Sequence, residues 1–173
     1  MEIEKIKSVI LFITNNLEKR DLHRIFKILY FAEKKHIAKY GRTILNENFI
    51  KMEKGPVPSL IYDLFKQNKP KAITNTEYSA FYNAFKLSGY NVTPLESPNM
   101  EYISKSNIEC LLESISENAL LSFNELTEKS HDSAWEKSNG VISEIDMAIS
   151  EDVDAEFLNY INELSENRNL CLA

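Results

Sequence analysis

Only four glycines and five prolines are spread through the 173 residues. So few leave little scope for long disordered linkers. Scattered as they are, the glycines build no phosphate-cradling loop. There are two cysteines, Cys110 and Cys171. Cys110 falls in an apolar helical pattern and reads as a small core residue, and Cys171 reads as exposed. With no signal peptide at the start of the chain, the reducing cytosol is the expected compartment and a disulfide is not expected. No apolar run approaches the roughly 18 to 20 residues that span a bilayer. The three histidines, His23, His36 and His131, form no spaced ligand motif. His23 and His36 fall on one expected helix, about 20 Å apart at the helical rise, so they share no ion. A basic excess is missing as well. The net charge is −6, which disfavours non-specific binding to phosphate backbones while leaving open a local basic face. No metal, cofactor or membrane anchor is expected.

What is present is an ordinary globular balance, 43% hydrophobic and 27% charged. A chain of this length fits one domain and can bury roughly 70% of the surface its unfolded form exposes. Ile3, Ile6, Val9, Ile10, Ile13 and Leu17 recur at helical spacing. Asp21 is placed to cap a second helix. There the Ile28–Phe31 run is apolar nearly all round, which predicts the central helix of the core, with Lys27, Lys34, Lys35 and Lys39 as its solvated face. Tyr40-Gly41 predicts its end, since glycine suits the left-handed position past a helix.

Thr43–Glu53 carries β-formers around Asn46, Glu47 and Asn48, the pattern of a hairpin. Gly55-Pro56-Val57-Pro58 then restricts the backbone and opens a helix over Ser59–Lys66. Thr74–Glu77 and Ser122–Glu125 match the capping box. The first opens a short helix ending at Gly89. Tyr90–Leu95 and Met100–Ile103 read as two short strands, and Ser104 as another helix cap. Asp132 is placed to cap a short helix carrying the only tryptophan, Trp135, and Gly140 ends it. An acidic run from Glu144 to Glu156 reads as a solvated face or the footprint of a basic partner. Ser150-Glu151-Asp152 opens a last helix to about residue 166, followed by a short tail. The fold class expected is mainly α (α+β): six to eight helices in one domain, residues 1–173. A small antiparallel β-hairpin element comes from Thr43–Glu53 and Tyr90–Ile103.

No constellation reads as catalytic. His131 and Trp135, four apart, can stack on one helical face beside Asp132 and Ser133. Neighbours in sequence do not converge as a catalytic triad does, so the cluster reads as capping and packing.

Two blocks of residues resemble a known family. The first is Leu29-Tyr30-Phe31-Ala32, His36, Tyr40-Gly41, Ile44, Phe49, Gly55-Pro56-Val57-Pro58 and Ile61-Tyr62-Asp63. The second is Leu121-Ser122, Glu125-Leu126, Ser130-His131-Asp132 and Ala134-Trp135. In this order they resemble the Panacea domain family of SocA-like antitoxins, which includes phage-associated GepA-like proteins. The family often has Thr where Ser130 stands and Gly where Asn46 stands.

The resemblance implies a cytoplasmic, non-catalytic antitoxin without a cofactor. It would neutralise a cognate toxin, encoded by a neighbouring gene, by direct protein–protein binding. One alternative it implies is an adaptor delivering the toxin to a ClpXP-type protease. The other is a DNA-binding regulator of its own operon, which the charge disfavours. The motif residues Tyr30, His36, Tyr40, Gly41, Gly55, Pro56, Val57, Pro58, Tyr62, His131, Asp132 and Trp135 would serve the fold or touch the partner.

Overall fold

The computed structural model describes residues 3–66 and 78–172. It is mostly helical with small antiparallel sheets, and nine α-helices lie among the described residues. The first, α1 (Ile3–Asn15), buries Ile6, Val9, Ile10, Leu11, Phe12 and Ile13. The second, α2 (Leu22–Tyr40), is the axis of the molecule. Asp21 caps it by accepting from the Arg24 backbone N–H at 2.9 Å. Gly41 ends it in the left-handed region, φ 69°, donating its N–H to Ile37 O at 2.8 Å. Tyr160 Cε1 lies 3.0 Å from where a Cβ on Gly41 would sit.

Around α2 pack α1, α5 (Lys105–Asn118), α6 (Phe123–Ser130), α8 (Glu144–Ile149) and the strand β2 (Val57–Pro58). This packing corrects the expectation of a solvated lysine face for Lys27 and Lys34, while Lys39 is exposed as expected and Lys35 is half-buried. Lys27 is 1% exposed and Lys34 4% exposed. Lys35 and Lys39 reach Glu117, Glu109 and Glu113 of α5.

Two small sheets replace the single β element expected. β1 (Phe49–Ile50) is the middle strand of the first. It pairs antiparallel with β2, Phe49 opposite Pro58, and with β5 (Val141–Ile142), Phe49 opposite Ile142. The turn of the β1–β2 hairpin therefore lies at Lys51–Pro56, not around Asn46. Asn46 does take a positive φ of 52°. The segment before it forms no strand because the buried Glu33 carboxylate binds its backbone, accepting from the N–H groups of Ile44 and Leu45.

The second sheet is a hairpin of β3 (Phe85–Ser88) and β4 (Asn91–Pro94), turning at Gly89-Tyr90 with Gly89 at φ 62°. Its β3 strand takes residues expected to be helical, and the preceding α4 (Ser79–Ala84) stops short of Gly89. Tyr90 O accepts from Leu22 N, and Val92 N donates to Arg20 O, so the hairpin fixes the chain entering α2. Met100–Tyr102 is a 3-10 turn rather than a strand, because Asn99 caps it at the Glu101 N–H.

The box at Ser122–Glu125 forms as expected, and Ser104 and Asp132 cap α5 and α7 (Ser133–Lys137). α7 ends at Ser138, before Gly140. The expected box at Thr74–Glu77 lies outside the described residues. α8 occupies a stretch read only as acidic surface, and β5 just before it had no element assigned. Ser150 ends α8, and Asp152 turns at φ 56°. The last helix, α9 (Ala155–Leu172), starts later than expected, where Asp154 accepts from Phe157 N at 2.8 Å. It also runs past the expected end near residue 166. Among the described residues no helix is long and apolar enough to cross a membrane.

Candidate functional site

Three residues of α2 share one face at spacings of three and four: Lys27, Tyr30 and Lys34. The two motif blocks meet on that face. Asp132 is the hub of one half. Its Oδ1 accepts from the Trp135 N–H at 3.0 Å, capping α7. Both its oxygens lie 3.1 Å from the Tyr30 hydroxyl, which donates to them. Lys34 Nζ reaches it at 2.7 Å and also pairs with Glu151 at 2.9 Å. Tyr30 is fully buried and packs edge-on against Phe49 of β1 at 5.3 Å. Burial, reinforced by the Asp132 carboxylate, holds its phenol well above the usual range.

His131 follows the end of α6 and stacks on Trp135, with ring centroids 3.8 Å apart and planes at 11°. The Trp135 indole N–H donates to Met52 O at 3.1 Å, and Lys51 Nζ lies 4.4 Å above its rings. The second motif block is thereby tied to the β1–β2 turn of the first.

The other half of the junction is Lys27 and Gly55. Lys27 Nζ donates to Pro56 O at 2.8 Å. Gly55 has φ 92°, and a Cβ there would sit 2.2 Å from Ser130 Oγ and 2.8 Å from Lys27 Cε. Backbone, lysine stem and α6 meet too closely for any side chain. Burial pushes the Lys27 ammonium down to about 7 from its ordinary 10.5. No carboxylate pairs with it among the described residues, and a buried unpaired cation destabilises a fold. Lys27→Met is therefore expected to be about 2 kcal/mol more stable than the wild type at pH 7. Between pH 7 and 10.5 the unfolded lysine binds the proton that the folded one has lost. Wild-type stability thus rises across that window, and the advantage of Lys27→Met shrinks. Urea unfolding at pH 7 and near pH 10 checks both the sign and the trend.

Beside this junction, at the first turns of α2, opens a cavity of about 670 Å³. Phe26, Lys27, Val57 and Tyr62 line it from within, and Met52, Tyr90 and Phe123 stand at the surface. His23 stacks on Phe123 with ring centroids 3.9 Å apart, and its Nε2 lies 3.1 Å from Thr127 Oγ1. Burial pushes the His23 imidazole down to about 4, so it lines the wall uncharged at neutral pH. Lys66 Nζ lies 5.7 Å from the Tyr62 ring centre and 4.9 Å from that of Tyr90.

The remaining motif residues sit elsewhere on α2. His36 is buried, its Nδ1 2.6 Å from Arg42 O and its Nε2 within 3.1 Å of Ser106 Oγ and Asn107 Nδ2. A carbonyl only accepts, so Nδ1 carries the proton and Nε2 accepts. Burial lowers the pKa of this imidazole, in keeping with the neutral form. Tyr40 donates to Glu109 Oε2 at 2.7 Å. The motif residues therefore divide between a His36–Tyr40–Gly41 end facing α5 and α9, and a junction of Tyr30, Gly55–Pro58 and His131–Trp135 beside the cavity.

Sequence reasoning missed Lys27, Lys34, Tyr90 and Phe123. The spacing of 27, 30 and 34 carried a signal for the first two. Tyr90 and Phe123 had none, because only the tertiary fold brings them together. Among the described residues no group of three or more His, Cys, Asp or Glu side chains is placed to hold a metal ion.

A protein-family model described as antitoxin SocA-like, Panacea domain, matches residues 25–136. No curated protein and no solved structure matches the chain. The matched segment opens within α2 and closes within α7, so it contains Lys27, Tyr30, Lys34, Gly55, Asp132 and Trp135. It covers more than half of the chain, and the chain belongs to the SocA-like antitoxin family through its Panacea domain.

Proposed function

We propose that the chain is a non-enzymatic antitoxin that silences a cognate toxin, encoded by a neighbouring gene, through direct protein–protein binding. The observation that carries this reading is the family match, which takes in both motif blocks and the junction they form. The apolar opening beside that junction supports it, since exposed aromatic residues are enriched where proteins meet.

Co-expression with the product of the neighbouring gene tests the proposal. The product alone is expected to arrest growth. This chain is expected to restore growth and to co-purify with the product. A harmless neighbour, or rescue without a complex, overturns it. The level of the product separates two routes: unchanged product with lost toxicity marks occlusion, and falling product marks delivery to a protease.

A further inference from the structure

The cavity at the start of α2 has an unusual charge arrangement for a chain of net charge −6. The carboxylates on its rim are engaged. Asp21 caps α2 and pairs with Arg24, and Glu53 pairs with Lys54 at 2.9 Å. Of its three lysines only Lys54 is paired with a carboxylate among the described residues. The buried Lys27 ammonium has three donors and a single acceptor, Pro56 O, among the described residues. Lys66 pairs with no carboxylate among them and lies over tyrosine faces.

Three large apolar groups stand exposed around this one opening: Met52, Phe123, and Tyr90 at 69% exposure. An apolar cavity with a few convergent polar groups is the general form of a binding site. The surplus of one charge sign says which sign the occupant carries.

We infer that the cavity seats a segment of the protein partner in which a large apolar side chain lies next to an Asp or Glu. The apolar group fills the space lined by Phe26, Tyr62, Tyr90 and Phe123. The neighbouring carboxylate takes the free N–H donors of Lys27, with Lys66 as the second cation at the rim. Lys27 is thus a binding residue kept at a cost to the stability of the free chain, the usual trade between stability and function. The identity of the partner as a toxin rests on the function proposed above, and the chemistry of the cavity does not.

Two measurements test the inference. In the first, 4-phenylbutyrate and its uncharged amide are titrated into the free chain and followed by NMR. The acid is expected to bind at least roughly tenfold more tightly, the difference a charged hydrogen bond makes. It should shift the resonances of Phe26, Tyr62, Tyr90 and Phe123, and Lys27→Met should abolish the preference. Equal binding of acid and amide, or no shift at the cavity from either, overturns the inference.

In the second, the product of the neighbouring gene is bound to the wild type, Lys27→Met and Tyr90→Ala. Each variant is expected to lose at least roughly tenfold in affinity while unfolding at no lower a urea concentration than the wild type. Tyr90 is exposed, so this arm stays decisive even if Lys27→Met misfolds. Affinity unchanged in both variants sinks the cavity and leaves the antitoxin reading standing. A wild type that binds no product sinks the antitoxin reading, and the acid–amide comparison still judges the cavity.

Discussion

Asp132→Ala is expected to cost about 3 kcal/mol of folding stability. Three separate interactions end on this one carboxylate: the α7 cap, the Tyr30 hydroxyl and the Lys34 ammonium. Removing a cap alone costs about 1 kcal/mol. Stranding the buried Tyr30 hydroxyl and taking one partner from Lys34 adds the larger share. Glu151 still holds Lys34, which keeps the loss at the low end for a broken buried pair. Asp132→Asn retains an oxygen for the Trp135 N–H and the Tyr30 hydroxyl, and is expected to cost about half as much. Urea unfolding of the two variants separates the contributions. A loss below about 1 kcal/mol for Asp132→Ala would reduce the residue to a simple cap.

Gly55→Ala is expected to cost about 3 kcal/mol as well, through strain rather than lost contacts. An alanine at φ 92° is disfavoured by about 1 to 2 kcal/mol on backbone grounds. Its Cβ would also collide with Ser130 Oγ, and Ser130 is fully buried with its hydroxyl bonded to Thr127 O. Overpacking of this kind adds about 1 to 3 kcal/mol. Ser130→Ala removes the nearest obstructing atom. The double variant is therefore expected to be more stable than the sum of the single changes by about 1 kcal/mol or more. Strict additivity in that double-mutant cycle would place the strain in the backbone angle and the Lys27 stem.

What was legible in the sequence was mostly local. The caps at Asp21, Ser104, Ser122 and Asp132 form where expected, because a cap is written within four residues. The left-handed end at Gly41 and the stacking of His131 on Trp135 were legible for the same reason. The family blocks were legible as patterns of residues in order.

The errors were tertiary. Lys27 and Lys34 read as solvated because a lysine on a helix usually is, and periodicity along α2 says nothing of what packs around it. The turn was assigned to Asn46 instead of Lys51–Pro56 because nothing local shows the Glu33 carboxylate taking the Ile44 and Leu45 N–H groups. β5 is two residues long and exists only through its pairing with β1, so no pattern announced it. The candidate cavity was illegible for a related reason: it joins α2, the β1–β2 turn, Tyr90 and Phe123, four separate stretches of chain.

Phe49 finds Ile142 only after most of the chain has been synthesised. Until then β1 has one finished edge, towards β2, and one open edge that another nascent chain can add to. Closing so long a loop is slow compared with forming helices. The Tyr30–Asp132 contact closes a longer loop still, so the junction and the third strand both wait for the last stretch of chain. The brief interval before β5 docks is when this chain is most exposed to mispairing with its own copies.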